Sequence, residues 1–124
     1  PWKIRLVGDK KHYIFKASQC SISASGTGVN GFHIVDPKKG KLESYPHKRS
    51  WAISQSAAVS DALATAVLLM DEPSIKRALL ALDEKTGVVL EPNDPDNDWI
   101  FLSHPEDAFV PEDPNDPESA WVLK

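Results

Sequence analysis

Apolar and charged side chains alternate along Trp2-Lys3-Ile4-Arg5-Leu6, the two-residue period of a strand that buries one face. Gly8-Asp9-Lys10 reads as a turn, and His12-Tyr13-Ile14-Phe15 returns as the second arm of a hairpin. His12 falls on its exposed side. A third strand fits Cys20 to Ala24, followed by the small residues Ser25-Gly26-Thr27-Gly28. Gly31-Phe32-His33-Ile34-Val35 alternates again and closes in Asp36-Pro37-Lys38-Lys39-Gly40. Pro37 presets the first corner of that turn, Asp36 can bond the backbone ahead, and Gly40 accepts a positive φ. Residues Leu42 to Arg49 form an irregular exposed connection, in which Pro46 disfavours a central strand and His47 faces solvent. Trp51 to Ser54 is the next strand.

The period then changes. From Ala57 to Met70, Val59, Leu63, Ala66, Val67 and Met70 recur at helical spacing, and Ala62, Leu68 and Leu69 widen the stripe. This predicts one long helix, opened near Ser56 and buried on most sides. Asp71-Glu72-Pro73-Ser74 interrupts it, and with Ser74 as N-cap a shorter helix runs from Ile75 to Leu82, its stripe being Ile75, Leu79 and Leu82. Val88 to Leu90 and Trp99 to Leu102 read as two antiparallel strands. The loop between them holds Asp94, Asp96 and Asp98 but lacks the glycine and terminal glutamate of a calcium loop, so it is a solvated turn. Beyond His104, proline and acids replace any apolar period. Residues 1–104 are therefore read as one domain and 105–124 as an extended acidic, Pro-rich tail, with Trp121-Val122-Leu123 able to dock on a surface. The expected fold class is α+β, an antiparallel sheet carrying the long buried helix and the shorter one.

Composition narrows the function classes. The chain has 124 residues, 41% hydrophobic and 26% charged, enough for one domain with a real core. A net charge of −4, with no basic stripe interleaved with aromatics, argues against nucleic acid as a partner. No apolar run reaches the length of a membrane span, and the first residues carry no secretory pattern. Cys20 is the single cysteine, which excludes an internal disulfide and a cysteine-based zinc site; it reads as a small, partly buried core residue. Lysine and arginine concentrate before residue 50, whereas from Asp94 onward acids face Lys124 alone. The basic half suits either a phosphate-bearing ligand or a plain solvated surface.

Three places carry candidate chemistry. His33 stands at a strand end before a tight turn, where reactive groups are often held, and equally where a half-buried histidine satisfies a backbone group. Ser25 and Gly26 allow close approach of a ligand to the backbone, and also suit an ordinary turn. Asp61 and Thr65, four apart on one helix, stack on a single face. A carboxylate and a hydroxyl are hard oxygen donors suited to Mg2+; alternatively Asp61 serves the helix N-terminal end while Thr65 bonds back to a carbonyl.

Taken together and in this order, Ser25-Gly26, then His33-Ile34-Val35-Asp36-Pro37-Lys38-Lys39-Gly40, then Ser60-Asp61-Ala62-Leu63-Ala64-Thr65-Ala66 resemble the C-terminal signature of the ApbE family, the FAD:protein FMN transferases. The resemblance runs from about Trp2 to Leu102. Lys39 stands where the family has threonine, and Ala24 where it often has threonine before Ser-Gly. What the resemblance implies is Mg2+-dependent transfer of FMN from FAD to a threonine hydroxyl of an acceptor flavoprotein. Carried over by position, Asp61 and Thr65 would ligate Mg2+, Ser25, Gly26 and His33 would lie at the flavin nucleotide, and His33 would take the acceptor proton. It also favours a periplasmic or cell-envelope setting. Family members have a long N-terminal half that completes the FAD and metal sites. The chain is accordingly expected to be a C-terminal portion, one part of a split protein with an N-terminal partner segment, or a shortened relative. Two other readings stand beside this one: a non-catalytic flavin-nucleotide-binding or interaction domain of the same fold, and a chance trio on a small α+β domain.

Overall fold

The computed structural model describes residues 2–17, 19–26, 47–82 and 84–124. The first hairpin forms as its alternation requires: β1 (Trp2–Val7) pairs antiparallel with β2 (His12–Ala17), Trp2 opposite Ala17 and Val7 opposite His12. The Gly8 amide donates to the Lys11 carbonyl at 2.9 Å to close the turn. Four more strands follow, β3 (Ser21–Gly26), β4 (His47–Ser54), β5 (Thr86–Pro92) and β6 (Ile100–His104). They make a second sheet in simple order β3-β4-β5-β6, every pair antiparallel. Two helices connect β4 to β5, α1 (Ala57–Val67) and α2 (Glu72–Leu80). The fold is α+β with mainly antiparallel pairing, but built on two sheets rather than one.

A second departure lies at the C-terminal end. The stretch read as an extended tail contributes β7 (Phe109–Pro111) and β8 (Trp121–Leu123), which pair with each other. β8 also joins β2 in parallel at Phe15 and Trp121, giving the first sheet the order β1-β2-β8-β7. Trp121 to Leu123 thus do more than dock on a surface; they are built into a sheet. These strands are only three residues long and lie between acidic turns, so no alternation could announce them. What holds them is aromatic packing: Phe109 lies edge-on to Phe15 and Phe101 with centroids 6.0 and 5.5 Å away, and Trp121 stacks on Phe101 at 4.9 Å. Such pairs contribute about 0.5–1.5 kcal/mol each beyond the area they bury.

The elements form three layers. One face of the second sheet, with Ile22, Trp51, Ile53, Val89 and Phe101, packs on Leu6, Phe15 and Ala17 of the first sheet. Its opposite face, with Val88, Leu90 and Leu102, packs on Val67 of α1 and on Ile75 and Leu79 of α2. Strand alternation thus serves two cores at once, and β5 is buried on both sides. Cys20 is half-buried against the inter-sheet core, as expected. Where the two sheets part, charges replace aromatics: Arg49 pairs with Glu91 at 2.6 Å and with Asp9 at 3.0 Å, and Lys48 also pairs with Asp9. The Asp9 amide donates to the second Glu91 oxygen at 2.9 Å, so the first hairpin turn is tied to the second sheet.

The long buried helix is not realised. Ser56 caps α1 as predicted, its hydroxyl accepting from the Val59 amide at 3.3 Å. The helix stops at Val67, where Leu69 and Met70 make tighter bonds to Ala66 and Val67. Only Ser60, Ala64 and Val67 are buried, while Ala57, Ala58, Ala62 and Ala66 face water. Alanine's intrinsic helix preference keeps it here without burial; its apparent contribution to an apolar stripe is misleading. The freed Met70 carbonyl accepts from His47 Nε2–H at 3.0 Å. That bond explains why His47, expected in solvent, is 6% exposed and begins β4. α2 starts three residues earlier than predicted because Asp71, not Ser74, is the cap. Its carboxylate accepts from the Ser74 amide at 2.8 Å, with Pro73 accommodated in the first turn. Among the described residues no helix is long and apolar enough to cross a membrane.

Candidate functional site

Ser25 and Gly26 end β3, an edge strand of the second sheet and the last described stretch before residue 47. His33 lies outside the described residues, as do Asp36 and the turn that follows it. Asp61 and Thr65 are on α1, both exposed. Thr65 Oγ1 sits 3.5 Å from the Asp61 carbonyl oxygen, a distance at which any hydrogen bond is weak. The local back-bond foreseen for Thr65 therefore exists in outline, leaving its hydroxyl open to a stronger partner.

A serine ladder relates these residues to one another. Ser23 Oγ lies 3.0 Å from Ser60 Oγ, joining β3 to the buried ridge of α1. Ser25, two residues along, faces the same side of the sheet. It is directly opposite Ser50 of β4, whose hydroxyl donates to the Ala64 carbonyl one turn further along α1. Ser60 and Ala64 are the immediate predecessors of Asp61 and Thr65, so the exposed pair forms the neighbouring ridge of the helix. Its side is set by Leu63, which packs toward the α2 core. Successive helical residues turn by about 100°, which puts Asp61 and Thr65 on the flank of α1 opposite Leu63. That flank is the one over the β3 edge, away from α2. Ser25-Gly26 and the Asp61–Thr65 ridge thus belong to two elements, β3 and α1, that the Ser23–Ser60 contact joins.

Several contributors were not singled out in the sequence. Ser23, Ser50 and Ser60 hold α1 in register with β3 and β4; their only signal in the chain is the alternation Ser21-Ser23-Ser25. A side chain at Gly26 would meet Arg49 Cγ at 3.3 Å and the Lys48 carbonyl at 3.6 Å, so this position has little room for anything larger. Among the described residues no three His, Cys, Asp or Glu side chains cluster as a metal cage. What the α1 ridge offers is one carboxylate and one hydroxyl, both exposed. That is a hard-oxygen set of the kind that suits Mg2+, which retains waters and borrows phosphate oxygens. Asp71 is the described group whose carboxyl is held below its ordinary value, by the side chain and amide of Ser74. It acts at the cap of α2.

No protein-family model, no curated protein and no solved structure matches the chain.

Proposed function

We propose that the chain is the C-terminal part, or a shortened relative, of an ApbE-type FMN transferase, working with Mg2+ on FAD and a threonine of an acceptor flavoprotein. The observation that supports this reading is that α1, which bears Asp61 and Thr65, packs on β3, which ends in Ser25-Gly26, through the Ser23–Ser60 contact. They carry two of the three sequence motifs on which the family resemblance rests; the third, around His33, lies outside the described residues. In this reading the small residues at the end of β3 admit the nucleotide close to the backbone. Asp61 and Thr65 hold Mg2+, which neutralises charge on the pyrophosphate oxygens. His33 accepts the proton of the acceptor threonine. The threonine oxygen then bonds to the flavin-side phosphorus, the phosphoanhydride bond breaks, and AMP departs with the electron pair. Serine and backbone contacts contribute mainly position, which in phosphoryl-type transfer is most of catalysis.

The test is calorimetric titration of FAD into the protein with and without Mg2+, followed by mass spectrometry of a threonine-containing acceptor. Binding that requires Mg2+, with an FMN-sized mass gain lost in His33→Ala, supports the reading. FAD held equally well without Mg2+ and without His33 would instead identify a non-catalytic flavin-nucleotide-binding domain. No binding under any condition would remove the flavin reading for this chain acting alone.

A further inference from the structure

Sheet edges are where backbone groups remain unpaired, and β6 is one edge of the second sheet. Beyond its ladder with β5, its backbone makes no hydrogen bond among the described residues. α2 runs beside it, and between them lies a groove of about 390 Å³, within the range of ligand-binding clefts. Leu79, Phe101 and Leu102 line it with apolar surface. Leu80 overhangs it while 71% exposed, the only large apolar side chain on the described helices left so open. The rim is acidic. Lys76 is neutralised by Glu72 one turn away at 3.8 Å, leaving Glu106 and Asp107 in excess.

A helix beside the open edge of a strand, with an apolar floor, is an arrangement that accepts an added strand. The five residues of β6 span about 17 Å, the reach of a pentapeptide in extended form. From this geometry we infer that the α2–β6 groove docks an extended segment of a partner protein, one with lysine or arginine on either side of an apolar residue. Main-chain bonds to β6 supply affinity, an apolar side chain covers the exposed Leu80, and the flanking cations face Glu106 and Asp107. The inference is independent of the nucleotide reading, since the groove is formed by α2 and β6 and none of Ser25, Gly26, Asp61 or Thr65 lines it.

Fluorescence anisotropy with a labelled Lys-Val-Thr-Val-Lys peptide tests it directly. Saturable binding is expected, weaker by about tenfold or more for the Glu-Val-Thr-Val-Glu counterpart and lost when the central amide is N-methylated. Leu80→Glu and Glu106→Lys change exposed side chains, so both should fold like the parent by circular dichroism while weakening the lysine peptide at least about fivefold. Equal affinity for the two peptides, indifference to the methyl group, or no binding by the folded parent would overturn the inference. Concentration-dependent self-association in sedimentation, abolished by Leu80→Glu, would overturn it in favour of a second copy as the occupant.

Discussion

Gly87 offers the sharpest test of how the C-terminal strands are held. It lies in β5 on the face turned toward the first sheet. A Cβ there would stand 2.4 Å from Phe109 Cζ and 2.8 Å from Cε2. In an extended strand, Gly87→Ala by itself should stabilise the protein by about 0.4–1 kcal/mol, because alanine restricts the unfolded chain. Against this stands overpacking, which costs about 1–3 kcal/mol when the neighbour cannot yield. Phe109 cannot swing freely, being wedged between the rings of Phe15 and Phe101. The overpacking effect should win, for a net loss of about 0.5–2 kcal/mol. Thermal unfolding should then shift down by roughly 2–8 °C for a domain of this size. In a Phe109→Ala background the obstacle is gone, and the same Gly87→Ala change should raise the melting temperature relative to Phe109→Ala alone. Calorimetry on the four proteins of this cycle decides the matter. A stabilised Gly87→Ala single variant, or an equal loss in both backgrounds, would refute the packing of β7 against β5.

Other consequences follow from the same geometry. Arg49→Met should leave the Glu91 carboxylate, 5% exposed, with only the Asp9 amide among the described residues. A loss of about 3 kcal/mol in urea unfolding is expected, largely recovered by adding Glu91→Met. The depressed carboxyl of Asp71 means that its capping contribution is fully present above the ordinary value of 3.8 and disappears as pH falls through the lower folded-state value. Asp71→Asn, which keeps a cap but no charge, should flatten that acid limb in pH-dependent melting. For the proposed chemistry, Asp61→Ala should weaken the Mg2+ dependence of FAD binding and of transfer together; an unchanged Mg2+ titration would return Asp61 to a helix-surface role. His33→Ala should retain FAD binding and abolish transfer, and undiminished transfer would exclude His33 as the base.

Elements with a clear period are legible in the chain itself. The β1–β2 hairpin, the pairing of β5 with β6, the Ser56 cap and the Ile75–Leu79 stripe follow from alternation, capping chemistry and helical spacing. These are local properties, written within a dozen or so residues. α1 shows where such reading fails: its alanines satisfy both a helix preference and an apolar count, and only the neighbouring sheet distinguishes the two. Likewise His47 carries no local mark of burial; the carbonyl it serves belongs to Met70, 23 residues away. For the candidate site, the residue types and their order stand in the sequence, while the Ser23–Ser60 contact that joins β3 to α1 links positions 37 apart.

The sequence by itself determined that this protein is an α+β chain with an amphipathic N-terminal hairpin and two consecutive helices. Tertiary structure alone decided that there are two sheets, that Phe109 and Trp121 bring the acidic C-terminal stretch into the core, and that β6 and α2 leave a groove between them. The reason is one of range. Backbone periodicity is set by immediate neighbours, whereas the partner that buries a three-residue strand or satisfies a buried histidine is chosen by how distant surfaces pack.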